Sequence, residues 1–125
     1  MRDCKPISTP MATSPPSDSG GALMDDPTRY RSIVGALQYV TLTQPNVAFS
    51  VNRVYQFMHA LIDSHWAMVK YILRYLRVTT THGLLLQRSS AHSLQEFSDA
   101  DWASSGSDHR SMGAYAIFLG PNLIS

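Results

Sequence analysis

Apolar side chains never recur at a regular spacing in residues 1–27; Pro6, Pro10, Pro15, Pro16, Gly20 and Gly21 stand instead among Ser, Thr and Asp. Such a stretch buries too little apolar surface to offset the entropy of ordering it, so a flexible arm is expected there. Asp26-Pro27 then reads as a helix start, a cap residue followed by proline at the first helical position. Ile33, Val34, Leu37 and Val40 would share one face of that helix. Thr43-Gln44-Pro45-Asn46 breaks the chain, after which Val47, Val51, Val54 and Met58 resume at helical spacing. A third helix is predicted from about Ser64 to Val78, capped by Asp63 or Ser64. Its wheel groups Val69, Ile72, Leu73 and Leu76.

After His82-Gly83 the period shifts toward two. Strands are predicted at 83–88, near 94–100, and over Tyr115–Leu119, followed by a turn at Gly120-Pro121-Asn122 and a last strand beginning at Leu123-Ile124. Helices first and strands afterwards imply an α+β chain of two unlike parts, residues 28–82 and 83–125, not one βαβ unit.

Composition narrows the function classes. A net charge of +1 on 125 residues gives no long-range field for nucleic acid or membrane, so polyanion binding requires a local patch. Cys4 is the only cysteine, which excludes an internal disulfide and a thiolate metal cluster. The longest apolar runs, such as Gly83-Leu84-Leu85-Leu86, are far too short to span a bilayer, and residues 1–20 lack the apolar segment of a signal peptide. A soluble, intracellular protein without membrane contact is expected.

Two features carry candidate chemistry. The run QEFSDADWA at residues 95–103 holds Glu96, Asp99 and Asp101, and a strand would put Asp99 and Asp101 on one face. Converging carboxylates hold hard divalent cations, but a polar strand end gives the same pattern. Beyond Asp101 the only acid is Asp108, and Glu96 is the only glutamate, so a full two-metal set is not assembled from this inventory. The second feature is Lys70, Arg74 and Arg77, a stripe on the third helix beside Trp66, Tyr71 and Tyr75. It suits phosphate tracking with aromatic stacking, and equally a solvated face with core-edge aromatics. The five histidines, His59, His65, His82, His92 and His109, lack paired zinc spacing and read as ordinary structural or surface residues. Cys4 has no neighbouring histidine to activate it.

Several blocks together resemble a family. YRSIVGALQY (30–39), TQPNVAFSVNRVYQFM (43–58), HWAMVKYILRYL (65–76), SDADWA (98–103) and CKPISTPM (4–11) resemble, in order, the copia-type retrotransposon Pol polyproteins. The resemblance covers nearly the whole chain. It implies that residues 28–82 are similar to the thumb and connection that follow the polymerase palm, whose YVDD metal site has no match here. It also implies that the strands from about 94 resemble the opening of an RNase H domain. The implied fold is a helical thumb/connection segment followed by an incomplete RNase H-like mixed β-sheet.

On this resemblance the parent carries out RNA-directed DNA synthesis and RNA–DNA hybrid cleavage with Mg²⁺. Asp99 corresponds to the first RNase H aspartate, a metal ligand whose partner carboxylates fall in blocks this sequence does not contain; no role is carried over to Asp101. Lys70, Arg74 and Arg77 would contact template-primer duplex or RNA–DNA hybrid, and other Pol segments would be further partners. The chain departs from the pattern at Met112 and Ala114, where the family has Thr and Gly, and at Leu61-Ile62, where it usually carries a proline. The implied reading is a Pol segment that is catalytically incompetent alone; the alternative is a noncatalytic module that binds nucleic acid or protein. An open edge on strand 94–100 and an apolar face made partly of Phe97, Tyr115 and Ile117 also predict marginal stability and a tendency to aggregate.

Overall fold

A computed structural model describes residues 5–12, 25–59, 61–101 and 112–125 and divides the chain into two units, 1–83 and 84–125. The expectations for Cys4, Asp108 and His109, and for arm residues 1–4 and 13–24, lie outside the described residues. The first unit holds α1 (Pro27–Val40), a 3-10 turn (Pro45–Val47), α2 (Ala48–Gln56) and α3 (Asp63–Val78). The second holds β1 (Leu94–Asp101), β2 (Met112–Leu119) and β3 (Asn122–Leu123).

Local chemistry sets the helix ends. Asp26 caps α1 by accepting from the Arg29 N–H at 2.9 Å, with Pro27 as the first helical residue. The cap of α3 differs from the expectation of Asp63 or Ser64, because Ile62 occupies that position and Asp63 is already helical. An isoleucine side chain has no acceptor, so His65 supplies the local polar contact. Its Nδ1 reaches back to the Ile62 N–H at 3.4 Å, while its own N–H donates to the Ile62 carbonyl at 3.0 Å. Buried and stacked on Phe57 with ring centres 3.9 Å apart, His65 is a structural histidine.

Nine residues of α2 are too few to hold a helix in water unaided, so its apolar face must be covered. Val47, Val51 and Val54 are buried against Val34 and Leu37 of α1 and Val69 and Ile72 of α3, with Tyr30, Leu61 and Tyr75 completing the cluster. Each such side chain contributes about 1.5–3 kcal/mol of transfer free energy. Ile33, Val40, Met58, Leu73 and Leu76 pack around the rim. Tyr30, absent from the expected face of α1, is fully buried and donates its hydroxyl to the Val54 carbonyl at 2.7 Å. Burial pushes the Tyr30 phenol well above the usual tyrosine range.

A second polar clamp closes the far end of α3, where carbonyls lack helical partners. Gln44 is buried and donates from Nε2 to the Thr79 carbonyl at 2.8 Å and the His82 carbonyl at 2.9 Å. Its Oε1 lies 3.3 Å from the Thr79 hydroxyl. The loop between α1 and α2 thus ties down the end of α3.

The second unit is a three-stranded sheet in the order β1-β2-β3, antiparallel throughout its described strands. The mixed sheet expected from the resemblance is therefore corrected to an antiparallel one. The strand expected at 83–88 does not form. Its apolar run, Leu84-Leu85-Leu86, lies outside the sheet, with Leu85 and Leu86 exposed. Asn122 substitutes a side chain for a paired strand, accepting from the Gln87 N–H at 2.6 Å and donating to its carbonyl at 2.9 Å. Gly120 opens the turn into β3 with φ of 56°, and a Cβ there would stand 2.6 Å from the Ala91 carbonyl oxygen. Both facts require glycine.

Register also corrects the expected apolar face. Phe97 pairs with Ala116 while Ser98 pairs with Tyr115 and Glu96 with Ile117, so strand alternation puts Phe97 on one face and Tyr115 with Ile117 on the other. Phe97 meets Phe118 edge-on at 5.9 Å, yet Phe97 stays 60% and Tyr115 64% exposed. All buried hydrophobic residues among those described belong to the helical unit.

Two outcomes follow for the helical unit. Gln44→Ala removes the side-chain donor shared by the Thr79 and His82 carbonyls, leaving Thr79 only the His82 N–H, and should lower stability by about 1–3 kcal/mol in a urea melt followed by helical circular dichroism. Tyr30 should make the unit sensitive to alkali. Below about pH 10 the phenol is protonated in both folded and unfolded chains; above it the unfolded chain releases the proton while the folded chain retains it, so stability falls as pH rises. Urea midpoints from pH 9 to 11.5 should fall in wild type, with a smaller fall in Tyr30→Phe.

Candidate functional site

The basic residues of α3 recur at i, i+4 and i+7, which sets Lys70, Arg74 and Arg77 in one stripe along the helix. The buried residues Val69, Ile72 and Tyr75 define the side of α3 turned to the core, and the stripe falls on the side away from it. Lys70 and Arg77 are exposed. Arg74 is half-buried, with its guanidinium over the Tyr71 ring at 5.7 Å and its Nε buried without an acceptor among the described residues. The stripe therefore presents two solvent-exposed side chains and one that is half-buried.

Its aromatic neighbours divide between core and surface. Tyr75 is buried, and its hydroxyl is the partner of the Asn46 side-chain amide, which takes it out of any stacking platform. Trp66 packs beside Tyr30 with ring centres 6.4 Å apart and lies beneath the Arg29 guanidinium at 5.4 Å. Tyr71 is half-buried, with its hydroxyl 3.3 Å from the Thr9 hydroxyl and its ring beneath Arg74. Spacing alone puts Tyr71 beside Arg74, one helical turn away. Nothing local to the helix reveals Thr9, which lies 62 positions earlier in the chain.

Pro10, Met11 and Ala12 of the arm close one side of a cavity of about 150 Å³, whose other walls include Val54, Ile72 and Arg74. This cavity belongs to the helical unit. Its lining is mainly apolar, with polar groups supplied by Ser50, Tyr71 and Arg74.

Asp99 stands on β1 opposite Ala114, exposed to solvent, and shares its face with Phe97, Ala116 and Phe118. Glu96 is three positions away, so strand alternation turns it to the opposite face. Among the described residues no group of three or more His, Cys, Asp or Glu side chains converges to hold a metal ion. The described residues thus bring Asp99 no partner set fit for Mg²⁺. No helix among them is long and apolar enough to cross a membrane.

No protein-family model matches the chain, and no solved structure matches it. Curated sequences do. The chain is 45% identical over 126 residues to the retrovirus-related Pol polyprotein from transposon RE2 of Arabidopsis thaliana, an alignment covering all of this chain and 9% of that protein. The Pol polyprotein from transposon RE1 of the same plant is also 45% identical, with the same coverage. An uncharacterized mitochondrial protein of Arabidopsis thaliana is 44% identical over 125 residues, covering all of this chain and 52% of that relative. The chain spans about a tenth of the length of the Pol polyproteins it matches, and the alignments run through both of its units. The chain belongs to the retrovirus-related Pol polyproteins of retrotransposons.

Proposed function

We propose that this chain is a segment of a copia-type Pol polyprotein, its helical unit corresponding to the thumb and connection of a reverse transcriptase and its sheet to the opening of an RNase H domain. The observation that carries this reading is the 45% identity to transposon Pol polyproteins over the entire chain. The parent's activities would be RNA-directed DNA synthesis and hydrolysis of RNA–DNA hybrid. Within it the helical unit contacts the backbone of template-primer duplex or hybrid through Lys70, Arg74 and Arg77. Their support is the helical spacing and placement away from the core, which lets cations meet phosphate without disturbing the packing.

Asp99 is the residue that would bind Mg²⁺ in the parent, where the ion activates water and stabilises the leaving oxygen. The described residues give it no converging partners, so no hydrolytic step is assigned to the isolated chain. One carboxylate does not position two ions for in-line displacement. A second reading, a noncatalytic module that binds nucleic acid by itself, is supported by the apolar core within the helical unit, which needs no residue from the sheet.

Both readings require the basic stripe to bind phosphate. Fluorescence anisotropy of the full chain with a labelled RNA–DNA hybrid over a salt series should show binding. Lys70→Ala should flatten the plot of log K against log salt by about 0.9, the contribution of one neutralised phosphate. An unchanged slope, or no binding at low salt, would remove the stripe from the account. Added Mg²⁺ should give no cleavage of the hybrid by the isolated chain. Cleavage that disappears in Asp99→Asn would show an assembled nuclease site and refute catalytic incompetence.

A further inference from the structure

Arg74 differs from its neighbours in the stripe in its burial and in the cavity it shares with the arm. Lys70 and Arg77 are exposed, whereas Arg74 is half-buried and lines the same cavity as Pro10, Met11 and Ala12. Tyr71 joins the two. Its hydroxyl meets Thr9 Oγ1 at 3.3 Å, and its ring lies under the Arg74 guanidinium at 5.7 Å. Thr9 also donates to the Met11 carbonyl at 3.1 Å, a local turn that shapes the segment lying on the groove.

We propose that Thr9–Ala12 is an intramolecular strap that holds Arg74 against Tyr71 and withholds it from phosphate, so that strap release and full grip on a nucleic-acid backbone are one coupled equilibrium. This rests on the phosphate-contact reading of the basic stripe. The opposing forces are visible in the site. The closed arrangement gains the apolar contact of the arm, the Thr9–Tyr71 hydrogen bond and the cation–π contact. Against these, it keeps the Arg74 Nε–H buried without an acceptor among the described residues. A buried donor left unpaired is costly, and release returns it to water or to a ligand oxygen.

Phosphate offers the freed guanidinium charge-assisted, bidentate hydrogen bonds that the closed form does not make. A ligand that binds the open form better shifts the population toward it, and by linkage anything that loosens the strap tightens the ligand. The restraint consists of one exposed hydroxyl pair and a short apolar contact, so modest changes in the arm move the balance.

Thr9→Val in the full chain tests this, because it removes both hydroxyl contacts of an exposed residue at nearly constant shape. One measurement is the rate at which phenylglyoxal modifies Arg74, followed by peptide mass spectrometry. It should rise roughly three- to ten-fold, the ratio that loss of one hydrogen bond implies. The other is affinity for an RNA–DNA hybrid over a salt series. Binding should tighten and the salt slope steepen by about 0.9, with both gains lost when Arg74→Ala is added. An unchanged Arg74 rate overturns the strap. Faster modification with unchanged affinity and slope overturns the coupling while leaving duplex binding by the stripe intact. If neither form binds hybrid although Arg74 modification rises, the phosphate-contact reading itself fails and the coupling falls with it.

Discussion

The Tyr30 hydroxyl, held 2.7 Å from the Val54 carbonyl inside the helical unit, joins α1 to α2 where neither helix could stand alone. It is a demanding contact. A tyrosine buried to this depth must satisfy its hydroxyl, and it finds a helix carbonyl that is itself turned inward. Around that bond Val34, Val51, Val54 and Val69 lose all exposure to water. The nine-residue α2 becomes the centre of the packing because both longer helices contribute buried residues to its cluster. Gln44 performs the matching task at the other end, donating to the Thr79 and His82 carbonyls just past the end of α3.

With the core of α3 committed to that cluster, its outer side is left to cations. This links packing to the proposed function: the residues that fix the orientation of α3 also decide that Lys70 and Arg77 face solvent. Arg74 sits between the two regimes, half-buried and lining the same cavity as Pro10, Met11 and Ala12 of the arm. Among the described residues the sheet has no comparable anchor. Its register is well defined over eight cross-strand pairs, but its faces carry Phe97 and Tyr115 in solvent, and a strand ladder alone adds little stability. Asp99 is therefore displayed on a scaffold whose position rests on backbone pairing more than on burial.

How much of this was legible in the sequence depends on the range of the interaction. Val34, Leu37, Val47, Val51, Val54, Val69 and Ile72 announce themselves by helical spacing, and all are buried. Asp26-Pro27 announces the start of α1 through the chemistry of the cap. Tyr30 does not, because it stands before the apolar run and its hydroxyl makes it ambiguous until Val54 supplies the acceptor. The strand expected at 83–88 fails for a related reason: an apolar run becomes a strand only beside a partner, and Gln87 finds the side chain of Asn122 instead. Spacing likewise puts Lys70, Arg74 and Arg77 in one stripe and Asp99 on a strand. The cavity that Arg74 shares with Pro10 and Met11 and the face that Asp99 shares with Phe118 need long-range contacts and register, which no local pattern encodes.

Apolar burial within the helical unit, and not the sheet, carries the stability of this chain. Hydrogen exchange of backbone amides in the full chain tests it most directly, because protection reports the free energy of opening at each position. The account predicts slow exchange in α2 and α3 at Val54 and Ile72, near the global unfolding limit, and fast exchange in the paired strands at Ser98 and Ile117. Protection at Ser98 and Ile117 equal to that at Val54 and Ile72 would contradict it.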